Sequence, residues 1–147
     1  MNKNGLELFP LLLPDFKPPR GAKGENQICL DIAIFLREQS FMDEKFPYVW
    51  FHVPNQFAGT YKGMFGAMLS WMGRIAGVPD YVFMAKGQCF FVEVKTKTGT
   101  QSEHQKLFQK WCESKEVPYY VCRSLEDVKC VLNESKKNAE SIKLPSI

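Results

Sequence analysis

No apolar run in the 147-residue chain is longer than a few positions, far short of the roughly 20 residues that carry a helix across a bilayer. A transmembrane helix is not expected, and the chain reads as soluble. Leu11, Leu12 and Leu13 are hemmed in by Pro10, Pro14 and Asp15, too short a stretch for the signal-peptide apolar region of about 7–15 residues. Export by that route is not expected. Five cysteines (Cys29, Cys89, Cys112, Cys122, Cys130) form no CxxC pair, and no nearby pair of histidines completes a zinc pattern; an odd, scattered set reads as reduced cytoplasmic thiols. No internal repeat or low-complexity tract appears. Apolar residues make up 45% of the chain and charged ones 24%, which excludes wholesale disorder and fits one domain of ordinary size. The net charge of +3 is concentrated late: residues 1–85 carry 8 basic and 8 acidic groups, residues 86–147 carry 11 and 8. That excess is too small for histone-like coating of nucleic acid, yet it permits a local phosphate-binding surface.

Prolines and glycines through residues 1–24 predict an extended arm. From Glu25 onward, helical spacing places Ile28, Cys29, Ile32, Phe35 and Leu36 on one face, together with Glu25, and turns Asp31 to solvent. Residues 48–53 (YVWFHV) read as a buried strand ended by Pro54. Residues 61–77, rich in Met, Gly and aromatics, read as a helix that packs closely on a partner. Residues 80–85 and 88–96 read as strands joined through Lys86-Gly87 in an antiparallel hairpin. A helix capped by Ser102 follows, with a buried stripe of Leu107, Phe108, Trp111 and Cys112. A strand over 117–122, a helix over 124–132 capped by Ser124, and a flexible tail over 133–147 complete the chain. The order predicts an α/β layer structure with a mixed sheet, the domain running from 25 to 132.

The chemistry concentrates in the hairpin. Side chains alternate along a strand, so Glu93 and Lys95 project from one face at the end of FFVEVKT, while Val94 points into the opposite layer. In isolation an ExK triplet is an ordinary strand end. Asp80, in Gly77-Val78-Pro79-Asp80, opens the other strand, and pairing through Lys86-Gly87 would bring it to Glu93 and Lys95. Two carboxylates beside an amine suit a hard cation such as Mg²⁺ or Mn²⁺, which prefers oxygen ligands. The lysine could orient or deprotonate a water and counter developing charge on a phosphodiester.

The strings GVPDYVF, FFVEVKTKTGTQSEHQKLFQKW and VPYYVCRSLEDV resemble the PD-(D/E)XK nuclease superfamily, and within it the VRR-NUC family, over about residues 25–132. The resemblance implies a restriction-endonuclease-like three-layer α/β/α core and divalent-metal-dependent cleavage of DNA, often of branched forms such as Holliday junctions or flaps. It implies that Asp80 and Glu93 hold Mg²⁺ or Mn²⁺ with the Val94 backbone carbonyl, that Lys95 is the catalytic lysine and that Gln105 supports the site. Glu25 resembles the family's additional acid, as support or as ligand to a second ion. A stand-alone chain of this family fits the cytoplasm of a bacterium or a phage-infected host.

Other residues stay open between two readings. His52 and Asn55, in FHVPN, resemble a family pattern after the first strand, but His52 also suits a strand end satisfied by backbone or solvent. His104 either packs in the first helical turn or reaches the cleft. Lys62, Arg74, Lys97, Lys106 and Lys110 could clamp a DNA backbone or simply be solvated. No helix-turn-helix, zinc-finger or RNA-binding aromatic pattern is present, so recognition by DNA shape is expected. Symmetric cutting of a junction suits a two-fold homodimer, with the 61–76 helix or the N-terminal arm as contact. The competing readings are a non-catalytic DNA-binding or interaction protein with a nuclease-like fold, and a defence nuclease acting on linear duplex.

Overall fold

A computed structural model describes residue 12, residues 17–54 and residues 63–141, with side chains described to 138. Its elements, in chain order, are α1 (Glu25–Met42), β1 (Val49–His52), α2 (Gly63–Trp71), β2 (Tyr81–Ala85), β3 (Gln88–Val94), α3 (Glu103–Ser114), β4 (Tyr119–Cys122) and α4 (Leu125–Ser141). This is the order that the sequence patterning predicts. The strands form one mixed sheet in the order β1-β2-β3-β4, antiparallel across the first two pairs and parallel between β3 and β4.

The hairpin register follows from its two-residue connection. Gly87 supplies a positive φ, Ala85 pairs with Gln88, and Tyr81 pairs with Val92. Phe83, Phe90, Val92 and Val94 therefore share one face, which packs with Ile32 and Leu36 of α1 and Val128, Val131 and Leu132 of α4 in a single core. Each such side chain contributes about 1.5–3 kcal/mol relative to exposure. Phe91, on the opposite face, meets Phe108 of α3 edge-on at 5.7 Å between ring centroids. Helices thus lie on both faces. No helix among the described residues is long and apolar enough to cross a membrane.

Five expectations require correction. β1 is not buried: among the described residues it is the sheet's edge, paired with β2 alone, and Val49 and Phe51 are exposed. α2 is shorter than the pattern suggests, giving way to a turn in which Gly73 takes a φ of 110°. It does not pack closely either: Met64 is 90% and Trp71 92% exposed, and Gly66 is its one buried residue. On α3, Leu107 and Trp111 are exposed while Cys112 is buried and Phe108 half-buried, because the helix leans on the sheet through only part of its apolar stripe. Finally, the last helix continues past 132 to Ser141, so the expected flexible tail is helical over its first half. Ser135 is buried, and its carbonyl accepts a hydrogen bond from Gln88 Nε2 at 3.2 Å. The expected arm over residues 1–24 lies mostly outside the described residues.

Candidate metal and phosphodiester site

At the end of the sheet opposite the hairpin turn, a cleft of about 940 Å³ opens between α1, β1 and the first turn of α3. Glu25, Cys29, His52, Asp80, Tyr81, Glu93 and Gln105 are among its lining residues. Asp80 precedes β2 and stands one step beyond the Tyr81–Val92 pair, so the register brings it level with Glu93. Its Oδ2 accepts the Val94 N–H at 2.7 Å. The contact made by Val94 here is through its amide, and the carbonyl assignment stays with the family resemblance.

Glu93 is 1% and Lys95 6% exposed. Lys95 Nζ lies 3.0 Å from Glu93 Oε1 and 3.5 Å from Glu25 Oε1. Gln105 Nε2 donates to the same Glu93 oxygen at 2.5 Å. Asp80, Glu93, Lys95, Gln105 and Glu25 are thus brought together, and Asp31 is turned away to solvent beside Gln27. Glu93 Oε2 is buried with no hydrogen-bond partner. A lone acceptor oxygen in that position is costly, and a cation bound beside it would remove the cost.

Burial pushes the Glu93 carboxyl up to about 7, the Asp80 charge adds to the rise, and Lys95 opposes it. Burial also raises Asp80, against the stabilising Val94 N–H. For Lys95, burial pulls downward, but the Glu93 hydrogen bond and charge outweigh it and the ammonium is held above its ordinary range. At neutral pH the amine is therefore protonated, a donor and a counter-charge instead of a base. Two acids whose anionic forms repel each other, one of them with a buried oxygen that lacks a hydrogen-bond partner, fit a divalent cation with oxygen ligands.

Two features position these groups and escape the sequence patterning. Gly77 adopts a φ of +80°, and a Cβ there would stand 2.3 Å from the His104 carbonyl carbon and 2.6 Å from the Gln105 amide nitrogen. The 77–80 turn that carries Asp80 is thereby seated directly on the turn that carries Gln105. That turn is closed by a capping box: Gln105 N–H donates to Ser102 Oγ at 3.2 Å, and Ser102 N–H donates to Gln105 Oε1 at 2.8 Å. Gln105 thus caps its helix with one end of its amide and holds Glu93 with the other. Arg123, after β4, donates through Nη1 to the carbonyls of Thr96, Lys97 and Gly99 at 2.5, 3.3 and 2.8 Å, holding the loop beside Glu25.

The expected DNA-contact residues separate. His52 lines the cleft. Burial lowers its pKa, and the Asp80 charge partly restores it. His104 is exposed, which corrects the reading that packs it in the first helical turn, and its backbone abuts Gly77. Lys106 pairs with Glu103 at 2.9 Å, Arg74 turns back on its own helix toward Ser70 Oγ at 3.2 Å, and Lys97 and Lys110 are exposed. Asn55 and Lys62 lie outside the described residues.

Comparison with protein-family models, with curated proteins and with solved structures finds no match. The arrangement of side chains is therefore the ground for a functional reading.

Proposed function

We propose that this chain is a divalent-metal-dependent endonuclease of the PD-(D/E)XK kind, VRR-NUC-like, that hydrolyses DNA phosphodiesters and selects branched DNA by shape. The observation that carries the reading is that Asp80, Glu93 and Lys95 meet at one end of the sheet, Lys95 on Glu93 Oε1 and Asp80 on the Val94 amide, while Glu93 Oε2 is buried without a hydrogen-bond partner. Asp80 and Glu93 would hold Mg²⁺ or Mn²⁺, with Glu25 as support. A bound ion of this type supplies Lewis acidity and lowers the pKa of an attacking water. The protonated Lys95 places a positive charge where a phosphoryl oxygen becomes more negative in the transition state. Gln105 keeps Glu93 turned into the cleft, and Glu25 keeps Lys95 beside it. The α/β layering, with helices on both faces of a mixed sheet, is compatible with the restriction-endonuclease-like core.

The test is cleavage of four-way, forked, single-stranded and linear DNA with Mg²⁺ or Mn²⁺, comparing the parent with Asp80→Ala and Lys95→Ala. The parent should cut branched DNA best, and each variant should lose at least about a hundredfold in rate, the scale of one well-placed electrostatic contact. Equal activity in all three proteins would overturn the assignment. Metal binding without cleavage of any DNA form would favour the non-catalytic binding protein, and preference for linear duplex the defence nuclease.

A further inference from the structure

The same cleft holds a second donor set of different chemistry. One ligand atom each from Cys29, His52 and Asp80 lies within 4.8 Å of the others, a span that an ion with bonds of about 2.0–2.3 Å bridges after small side-chain shifts. The three come from α1, β1 and the entry to β2, and one buried residue fixes them all. Tyr81 OH donates to the Cys29 carbonyl at 2.8 Å. Tyr81 also pairs with His52 across the sheet, their rings 5.1 Å apart, and it follows Asp80 directly in the chain. A further hydrogen bond, Val53 N–H to the Asp80 carbonyl at 2.8 Å, ties the end of β1 to the same point. The donors therefore have defined backbone positions in one cleft.

A sulfur, an imidazole nitrogen and a carboxylate oxygen do not suit Mg²⁺, which takes oxygen; they suit zinc and its neighbours in the transition series. Three protein ligands leave a fourth position open, unlike closed structural zinc sites. We infer that Cys29, His52 and Asp80 form a binding site for a borderline-soft dication of zinc's class, which competes with the hard ion of the Asp80–Glu93 pair because Asp80 belongs to both donor sets. The site itself stands on its own geometry; only the competition rests on the proposed hydrolytic function.

Cobalt(II) is the probe, since it substitutes for zinc and absorbs. Titrated into the reduced, full-length protein, it should give a thiolate-to-cobalt charge-transfer band that saturates at about one equivalent. The band should vanish in Cys29→Ser and persist when the exposed Cys89 and Cys130 are changed to serine. His52→Ala should weaken binding at least about tenfold, and zinc should displace the cobalt. No band in the parent, or a band unchanged in Cys29→Ser, overturns the inference. Where the parent cleaves DNA in Mg²⁺, zinc should inhibit it and Cys29→Ser should relieve that inhibition; equal inhibition of both would refute the competition. A cysteine-dependent band in a protein that cuts no DNA would sustain the site while the hydrolytic reading fails.

Discussion

Glu93 sits in a pocket that penalises its charge, and this has a consequence for stability. Its pKa rises from 4.5 in the free side chain to about 7, so the folded protein holds the proton more tightly than the unfolded chain does. The resulting stabilisation is complete below about pH 4.5 and is lost as pH rises through about 7, a swing of at most about 3 kcal/mol. In chelator, the parent should lose resistance to urea between about pH 5 and pH 8, and Glu93→Gln should flatten that decline; parallel profiles would refute the shift. Lys95 shows the complementary behaviour. Removing it as Lys95→Met leaves a buried carboxylate uncompensated at high pH, so the variant should be destabilised by about 3 kcal/mol near pH 8 and by much less near pH 5, where Glu93 is neutral. An equal loss at both values would show that the two charges are not coupled. At this scale the sequence is informative: alternation along β3 puts Glu93 and Lys95 on one side, and the short Lys86-Gly87 connection sets the register that brings Asp80 to them. The Cys29–His52–Asp80 cluster is harder to read, because zinc patterns are recognised by close spacing and these residues are distant in the chain. Only the shared face of Glu25 and Cys29, one helical turn apart, hints at it.

Between elements, the decisive contact is the seat of the 77–80 turn on α3. Gly77→Ala would force a Cβ into the His104 and Gln105 backbone and also strain a φ of +80°. Both effects act together, so the variant should lose more than about 2 kcal/mol in urea unfolding. A loss below about 0.5 kcal/mol would show that the turn can lift away freely, as at an ordinary surface position. The capping of α3 by Ser102 is legible in advance, whereas the return bond from Gln105 that completes a capping box emerges only in the structure. Close approach of two backbones has no local signature: Gly77 reads as a turn glycine, whatever it touches. The exposure of Leu107 and Trp111 fails to show in the pattern for a related reason. Periodicity identifies an apolar face, but how much of that face the sheet covers depends on the tilt of the helix.

On the scale of the whole molecule, α2 carries the largest group of exposed apolar side chains among the described residues. Met64, Met68 and Trp71 are exposed along it, and Met72 and Ile75 extend the apolar surface beyond its end. Patches of this kind commonly mark a protein contact. The segment Gly63–Trp71 carries no charged residue, so two copies can appose there without like-charge repulsion, whereas a charged partner would find nothing to pair with. A two-fold dimer through α2 would also place two clefts in one particle, which suits the proposed cutting of a branched substrate. The expected outcome is a dimeric mass by light scattering at micromolar concentration, shifting to the monomer in Met64→Glu/Trp71→Glu. Both side chains are at least 90% exposed, so the substitutions should leave the fold within about 0.5 kcal/mol of the parent. A monomeric parent would eliminate this dimer, and an unchanged dimer in the double variant would move the interface off α2.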